Sequence, residues 1–335
     1  MLRKLILLSL LVIAAGLAGS IWIWTDYQRF RQAPILTGEG TVVLWVAPGS
    51  SYSRMVRELS GLGLTEPDWR WRLLGRLEQP ALQAGEYELE PGTTPLELLE
   101  KLRAGRVRLH RFTIVEGWQF QDLRDALASD ERLRSETAEW SSAQIMEALD
   151  CPGCDAEGRF LPETYFFVRK TPDLGLLRRS FESMNRVMEE AWANRDPDLP
   201  LSDPLELLVL ASIVEKETGL AVERGKVAGV FARRLEQGMR LQTDPTVIYG
   251  LDESFGGRLT RADLRTDHPW NTYTRHGLPP TPIALPGRDS ILASARPEEG
   301  TELYFVARGD GSHQFSDTLA EHNAAVNRYI RGRSQ

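Results

Sequence analysis

Apolar residues near the start of the chain form one long, uninterrupted run. It extends from Leu5 to Trp24 (LILLSLLVIAAGLAGSIWIW) and contains no charged residue. A helix needs about 20 apolar residues to cross a bilayer, whereas the apolar core of a signal peptide has about 7–15. The pattern therefore predicts a transmembrane helix over 5–24, with 1–4 as a cytoplasmic tail and 25–40 as a polar stem. A cleaved signal peptide is the alternative.

The residues that flank this run predict its orientation. Arg3 and Lys4 precede it, and basic residues beside a membrane span favour the cytoplasmic side. Arg29 and Arg31 follow it and reduce the asymmetry. We therefore expect a single-pass protein of the cell inner (cytoplasmic) membrane, with the rest of the chain on the periplasmic, or extracytoplasmic, side.

Three segments beyond the stem share one pattern. Each begins with alternating apolar residues, passes through a glycine turn and ends as an amphipathic helix; they span residues 42–59, 85–102 and 109–127. The alternation favours half-buried strands, and the polar residues after each glycine suit helix starts. We predict small LysM-like strand–helix units over 41–128, of the kind that recognise glycan chains. A structural α+β stalk without a binding role is the alternative.

The rest of the chain, residues 129–335, is predicted to form a helix-rich domain with a small β part. YFV (304–306) and HQF (313–315) indicate a short hairpin near its end. The predicted fold class is therefore α+β, with an N-terminal transmembrane helix, strand–helix units and then this helix-rich domain.

One helix of that domain has an unusual pattern. Asp203, Pro204 and Glu206 form a helix start, with an N-cap acceptor, a proline at the first position and a glutamate at the third. The segment that follows, LELLVLASIV, is apolar on nearly every side, which predicts a buried central helix from about Pro204 to Thr218. It ends in two glutamates, Glu215 and Glu217.

Helical spacing separates these two glutamates. Residues three and four apart are neighbours on a helix, so Glu217 follows Val214 and Ile213, whereas Glu215 follows the smaller, more polar line through Ser212. Desolvation and the negative end of the helix dipole both disfavour a carboxylate. Glu217 is therefore the better candidate for a protonated general acid. The alternative is that both carboxylates pair with Lys216, Arg224 or Lys226.

Composition excludes several classes of function. The net charge is −7 over 335 residues and no basic stripe is present, which argues against nucleic-acid binding. The five histidines are scattered and none pair at metal-ligand spacing, so neither a metal site nor a cofactor is expected. The two cysteines, Cys151 and Cys154, are predicted to form a local disulfide or two idle thiols in preference to a redox centre.

The segments around Glu217 resemble the YceG/MltG-like family of membrane-bound endolytic murein transglycosylases. The matching motifs are LASIVEKET (210–218), AVERGKVAGVFARRLEQGMRLQTDPTVIYG (221–250), NTYTRHGLPPTPIALPG (271–287) and LYFVARGDGSHQFSDTLAEHN (303–323). Shorter matches are GRFLPETY (158–165) and LTRADLRT (259–266). The resemblance covers essentially the whole chain and makes residues 129–335 the expected catalytic domain.

The resemblance implies an enzyme that cleaves the MurNAc–GlcNAc β-1,4 bond of peptidoglycan glycan strands without water. The family's catalytic glutamate is the second in E-K-E, which falls on Glu217. Action on nascent strands beside peptidoglycan synthases is a family-level expectation. A hydrolytic muramidase with Asp244 or Glu215 as its second carboxylate, and a non-catalytic membrane-anchored scaffold that binds peptidoglycan, are the alternatives.

Two polar and aromatic stretches are candidates for holding the substrate's hydroxyl and N-acetyl groups. Their residues are Gln242, Asp244, Thr246, Tyr249, Asn271 and Tyr273. Asp244 and Pro245 could equally form a helix-capping turn. His313 is expected to stabilise a glycine-rich turn and not to act as a base.

Overall fold

The structure, a computed structural model, describes residues 2–251 and 255–332. Met1 of the predicted tail, and residues 252–254 and 333–335 of the predicted catalytic domain, lie outside the described residues. The chain divides into two compact units, unit 1 (Met1–His110) and unit 2 (Arg111–Gln335). The third predicted strand–helix segment, 109–127, therefore lies almost wholly in unit 2 and not with the first two.

Unit 1 consists of a long N-terminal helix and a small mixed fold. Its elements are α1 (Leu2–Gln32), β1 (Val42–Val46), α2 (Tyr52–Gly61), α3 (Trp69–Glu78), β2 (Gly85–Leu89) and α4 (Pro95–Arg103). Strands β1 and β2 pair antiparallel, with Leu44 opposite Tyr87. The first two predicted strand–helix segments thus share one sheet and are not independent repeats. Their LysM-like character stays a prediction.

Helix α1 is long and apolar enough to cross a membrane, as judged by its length and composition. It continues beyond Trp24 to Gln32, since no proline or glycine interrupts this stretch. Tyr27 is fully buried in the core of unit 1, and the Phe30 ring meets the Trp71 ring edge-on at 5.2 Å. The first residues of the predicted stem therefore continue α1 and pack against the core of unit 1.

Unit 2 is predominantly helical. Its elements are β3 (His110–Thr113, which starts at the last residue of unit 1), α5 (Phe120–Ser129), α6 (Ser142–Ala148), β4 (Thr164–Phe167), α7 (Asp173–Ala193), α8 (Pro204–Glu217), α9 (Arg224–Glu236), α10 (Asp244–Leu251), α11 (Arg288–Ala295), β5 (Tyr304–Ala307), β6 (His313–Ser316) and α12 (Leu319–Val326). β3 pairs with β4, and β5 with β6. The antiparallel β5–β6 hairpin and the mixed helix-and-sheet class confirm two predictions.

Helix α8 lies at the centre of unit 2, as its apolar sequence predicts. The Asp203 side chain caps it by accepting a hydrogen bond from the Glu206 backbone N at 2.9 Å. Every residue from Leu207 to Val214 is buried, and α8 contacts α7, α9 and α11. The helix ends at Glu217, where Thr218 turns to an extended conformation. The last turn of α8 therefore places Glu217 beyond the buried part of the helix, at the edge of a cleft.

Cys151 and Cys154, which follow α6, form a disulfide. The two cysteines are three positions apart in the chain, and both pack against the core cluster that contains Phe160. It is the local disulfide that was one of the two favoured interpretations of the sequence.

Candidate active site

Glu217 is half-buried at the edge of a cleft of about 320 Å³ in unit 2. The cleft combines acidic, basic and aromatic side chains: Glu217, Arg234, Leu241, Gln242, Asp244, Tyr273, Tyr304, Phe305, Leu319 and His322. Three of the predicted substrate-binding residues, Gln242, Asp244 and Tyr273, therefore share one cavity with the predicted catalytic glutamate.

The surroundings of Glu217 favour its protonated form. Burial raises the pKa of this carboxyl, and the nearby charge of Asp244 raises it further. In the opposite direction, the Thr243 hydroxyl donates a hydrogen bond to Oε1, and the nearby His313 and Arg234 side chains also lower the pKa of Glu217. The net direction is upward, as desolvation of a carboxylate at the end of an apolar helix requires.

Glu215 has a different environment although it is only two residues away. Its side chain is 6% exposed, and Oε2 accepts hydrogen bonds from Gly287 N at 2.9 Å and Ser290 Oγ at 2.7 Å. Arg224 Nη2 lies 4.0 Å from Oε1. The predicted alternative of pairing with Arg224 thus applies to Glu215, which joins α8 to α11 and its preceding loop.

The two neighbouring lysines have other partners. Lys216 donates a hydrogen bond to the Gly117 carbonyl at 3.1 Å, and Lys226 lies 3.8 Å from a carboxylate oxygen of Glu298. Within the described part of the chain, neither lysine forms an ion pair with Glu217.

The loop opposite Glu217 is held by a network of threonines. The Gln242 and Thr243 backbone N–H groups donate to Thr272, at its carbonyl (3.2 Å) and its Oγ1 (3.1 Å) respectively. Thr246 Oγ1 donates to the Thr243 carbonyl at 2.8 Å and is 2.9 Å from Thr272 Oγ1. Gln242 adopts φ 51°, in the left-handed region that a non-glycine residue seldom occupies. These bonds hold the loop in that conformation and direct Thr243 towards Glu217.

Asp244 and Tyr273 form a hydrogen-bonded pair on the cleft wall. The Tyr273 hydroxyl donates to Asp244 Oδ1 at 2.6 Å. Burial raises the pKa of Tyr273, and the bond to Asp244 raises it further. Asp244 is also the first residue of α10, followed by Pro245. Asp244 therefore begins a helix and lies in the cavity lining, and its part in substrate binding stays a prediction.

The other three predicted substrate-binding residues lie outside the cleft lining. Thr246 is fully buried within the threonine network. Tyr249 packs its ring against Trp270, with centroids 5.7 Å apart, and its hydroxyl is 3.4 Å from Glu157 Oε2. Asn271 is also buried and donates to the Thr266 carbonyl at 2.7 Å. In the structure these three side chains order the loops behind the cavity.

Sequence reasoning did not single out several residues of the cleft wall. Arg234 donates to the Leu303 and Leu241 carbonyls, each at 2.7 Å, and its guanidinium lies 5.2 Å from the Tyr304 ring centroid. Tyr304 in turn stacks on His322 at 5.3 Å. These residues lie in the quoted family motifs, but α9, β5 and α12 bring them together only in the tertiary structure.

His313 contacts Glu223, in another element, and its expected role in the glycine-rich turn stays a prediction. Its backbone N donates to Glu223 Oε1 at 3.0 Å, and its Nδ1 lies 2.7 Å from Glu223 Oε2. The pair links β6 to the short 3₁₀ turn after α8. Among the described residues, no group of three or more His, Cys, Asp or Glu side chains is arranged to hold a metal ion.

Known proteins resemble the chain over most of its length. The profile of the YceG-like family matches residues 44–328. An endolytic murein transglycosylase of Bacillus subtilis (strain 168) is 30% identical over 280 residues, covering 76% of this chain and 74% of the relative. A Streptococcus pneumoniae protein of the same name (serotype 2, strain D39) is 25% identical over 98% of this chain, which spans 66% of that relative.

A solved structure shows the same resemblance. The 2.6 Å crystal structure of a YceG-like protein from Listeria monocytogenes superposes with a TM-score of 0.54 at 26% identity, covering 86% of this chain and all of the other. The family match spans both the central helix that ends in Glu217 and the loop that carries Thr243. The chain therefore belongs to the YceG-like family.

Proposed function

We propose that the protein is an endolytic murein transglycosylase, a lyase that cleaves the MurNAc–GlcNAc β-1,4 bond of peptidoglycan strands and leaves 1,6-anhydroMurNAc ends. The observation that carries the proposal is Glu217, a carboxyl with a raised pKa that lines a cleft of polar and aromatic side chains. The names of the Bacillus and Streptococcus relatives support the reaction and the substrate.

In the proposed mechanism Glu217 acts twice. As a protonated acid it donates its proton to the glycosidic oxygen, while the bond from this oxygen to C1 of MurNAc breaks and GlcNAc leaves with a free hydroxyl. As a carboxylate it then removes the proton of the MurNAc 6-hydroxyl, whose oxygen bonds to C1. The ring closes, Glu217 is protonated again, and no water is consumed.

Hydrolysis by the usual route would require a second carboxylate to activate water or to attack C1. Glu215, one of the two candidates for that role, is already engaged, since it accepts bonds from Gly287 and Ser290. Ring closure by the substrate's own hydroxyl needs no such group. The arrangement therefore favours the lyase over the hydrolytic alternative.

Sugar binding is proposed for the cleft residues that can offer hydrogen bonds or flat surfaces. Gln242, Asp244 and Tyr273 are polar groups beside Glu217, and Tyr273 also carries an aromatic ring. For Thr246, Tyr249 and Asn271 we propose a supporting role behind this wall.

We further propose that α1 anchors the protein in the inner membrane, with the rest of unit 1 and all of unit 2 on the extracytoplasmic side. The length and apolar composition of the helix support this placement. An anchored cleft would meet glycan strands near the membrane where they are made, which is consistent with action on nascent strands beside peptidoglycan synthases.

Product analysis tests the reaction. Full-length protein in detergent is incubated with purified peptidoglycan, and the released muropeptides are weighed by mass spectrometry. We expect anhydro ends, lighter by one water than reducing ends. Reducing ends would instead identify a muramidase, and unchanged peptidoglycan would identify a binding scaffold.

The Glu217→Gln variant tests the assignment of the acid. The amide cannot donate or accept the transferred proton, so we expect kcat to fall by at least about 10²-fold with the fold retained. Glu299→Gln, at an exposed glutamate outside the cleft lining, is the matched control and should keep full activity. Wild-type activity in Glu217→Gln would contradict the assignment.

A further inference from the structure

The hydroxyl of Thr243 is the hydrogen-bond donor that contacts the Glu217 carboxyl. We propose that Thr243 is a positioning residue: by holding Oε1 it leaves Oε2 to carry the proton that is delivered to the glycosidic oxygen. The inference rests on the proposed function of Glu217 and adds a second residue to that reaction. Thr243 itself neither touches the bond that breaks nor exchanges a proton with the sugar.

Thr243 is held firmly enough to fix a neighbour. The residue is 2% exposed. Its backbone N donates to Thr272 Oγ1 at 3.1 Å, and its carbonyl accepts from Thr246 Oγ1 at 2.8 Å. Both sides of the residue are thus tied to buried threonines, and the hydroxyl is left to bond to Glu217.

The bond also makes the two oxygens of Glu217 inequivalent. Within the described part of the chain, the hydrogen bond to this carboxyl involves Oε1, and no described donor engages Oε2. A carboxyl with one oxygen fixed has a defined orientation, because rotation about its terminal bond would break the hydrogen bond. Proton transfer to a bound substrate depends strongly on such alignment.

Thr243 also stabilises the ionised state that the second step requires. A donor to a carboxylate favours the charged form, and the groups that act on Glu217 oppose one another. Asp244 on α10 raises the pKa, whereas Arg234 on α9, His313 on β6 and the Thr243 hydroxyl lower it. Removal of this hydroxyl should therefore raise the pKa of Glu217. The free enzyme needs Glu217 in its protonated form, so kcat/KM falls as pH rises through the pKa of Glu217. This fall is the high-pH limb of the profile, and a higher pKa should move it to higher pH.

The test compares full-length variants over a range of pH. Thr243→Val keeps the shape but lacks the donor, so we expect kcat to fall about 10- to 100-fold, KM to change less, and the high-pH limb to move upward. Thr243→Ser restores a hydroxyl and should recover both properties. Thr137→Val removes a buried threonine hydroxyl that donates to Asp173, outside the cleft lining and the threonine network, and should leave the limb in place.

The outcomes separate this inference from the proposed function. A wild-type pH profile and kcat in Thr243→Val, or an equal shift in Thr137→Val, would overturn the positioning role while anhydro products still supported the lyase. Persistent activity in Glu217→Gln would overturn the proposed function instead. If Thr243→Val does not fold, as judged by circular dichroism, Thr243→Ala and Thr243→Ser are compared in the same assay, and equal high-pH limbs in these two overturn the role.

Discussion

Glu215 and Glu217 show how two residues of the same type acquire different properties. They are two positions apart on α8, which is about 200° around a helix, so they face different neighbours. Glu215 meets Arg224, a backbone N–H and a serine hydroxyl, whereas Glu217 accepts a hydrogen bond from the Thr243 hydroxyl beside the cleft. The oxygens of the first are occupied by these partners, whereas burial raises the pKa of the second and favours its acid form. The environment of each glutamate, and not its residue type, therefore determines its chemical role.

Glu157 is a third carboxyl with a strongly altered environment, outside the cleft lining. Its two oxygens lie 3.1 and 3.2 Å from the Phe120 backbone N, which donates to them at the start of α5. Burial raises its pKa to about 7, although this backbone hydrogen bond acts in the opposite direction. The group thus titrates near neutral pH inside the core of unit 2.

The Glu157→Gln variant should change the pH dependence of stability. In the unfolded chain this carboxyl has the ordinary glutamate pKa of 4.5, whereas in the folded protein its pKa is about 7. Between these values the folded state binds more protons, so the free energy of unfolding falls as pH rises. The loss above pH 7 amounts to about 3 kcal/mol for this shift. The glutamine does not titrate, so we expect it to be more stable than wild type at pH 8.5 and to lose that advantage at pH 4.5.

Denaturant unfolding at several pH values measures this effect. Glu163→Gln, at an exposed glutamate, is the control and should follow the wild type. A wild-type stability that does not change between pH 5 and 8.5 would contradict the altered pKa.

At the scale of elements, local signals were sufficient for some parts of the fold. The bounds of α8 were predicted to within one residue, because Asp203 and Pro204 mark its start and a continuous apolar run fills its length. The β5–β6 hairpin was also recognisable from its alternation and its glycines. The pairing of β1 with β2 was not, since it joins residues about 40 positions apart that carry no mutual signal.

Helix α10 explains why two of the predicted binding residues lie outside the cleft lining. Thr246 and Tyr249 follow Asp244 by two and five residues, which corresponds to about 200° and 140° around the helix. They therefore point away from the face that Asp244 presents to the cleft. The polar composition of residues 242–249 indicated a binding site. The prediction treated these residues together and did not consider that helical spacing places them on different faces of α10. Arg234, Tyr304 and His322 were missed for another reason, since their approach depends on long-range packing.

The cap of α8 provides a test at this scale. The Asp203 side chain accepts a bond from the Glu206 N–H, so Asp203→Ala leaves that donor without its partner. We expect unfolding to become easier by about 1 kcal/mol. Asp203→Asn retains an acceptor oxygen and should lose much less. Calorimetric melting of both variants measures the difference, and equal losses would show that charge, not capping, is responsible.

At the scale of the whole molecule, the chain consists of two units with separate cores. The core of unit 1 includes Tyr27 and Trp71, and the three core clusters of unit 2 lie entirely beyond Arg111. Every residue that lines the Glu217 cleft belongs to unit 2. The separation assigns the proposed chemistry to one unit and the proposed anchor to the other.

A fragment of residues 111–335 tests this separation. Because it contains the cleft and three cores, we expect it to melt cooperatively and to release anhydro-ended fragments from purified peptidoglycan. It lacks α1 and should remain in the soluble fraction after ultracentrifugation with membranes. A folded but inactive fragment would show instead that unit 1 is needed for cleavage.

The continuity of α1 has a geometric consequence for an anchored protein. Each residue advances an α-helix by about 1.5 Å and turns it by about 100°. Since Tyr27 is locked into unit 1 on the same helix that carries Leu5 to Trp24, the azimuth of unit 1 about the anchor depends on the number of residues between them. Deletion of one residue there would turn the rest of unit 1 about the helix axis by more than a quarter of a revolution, while its height above the membrane would hardly change.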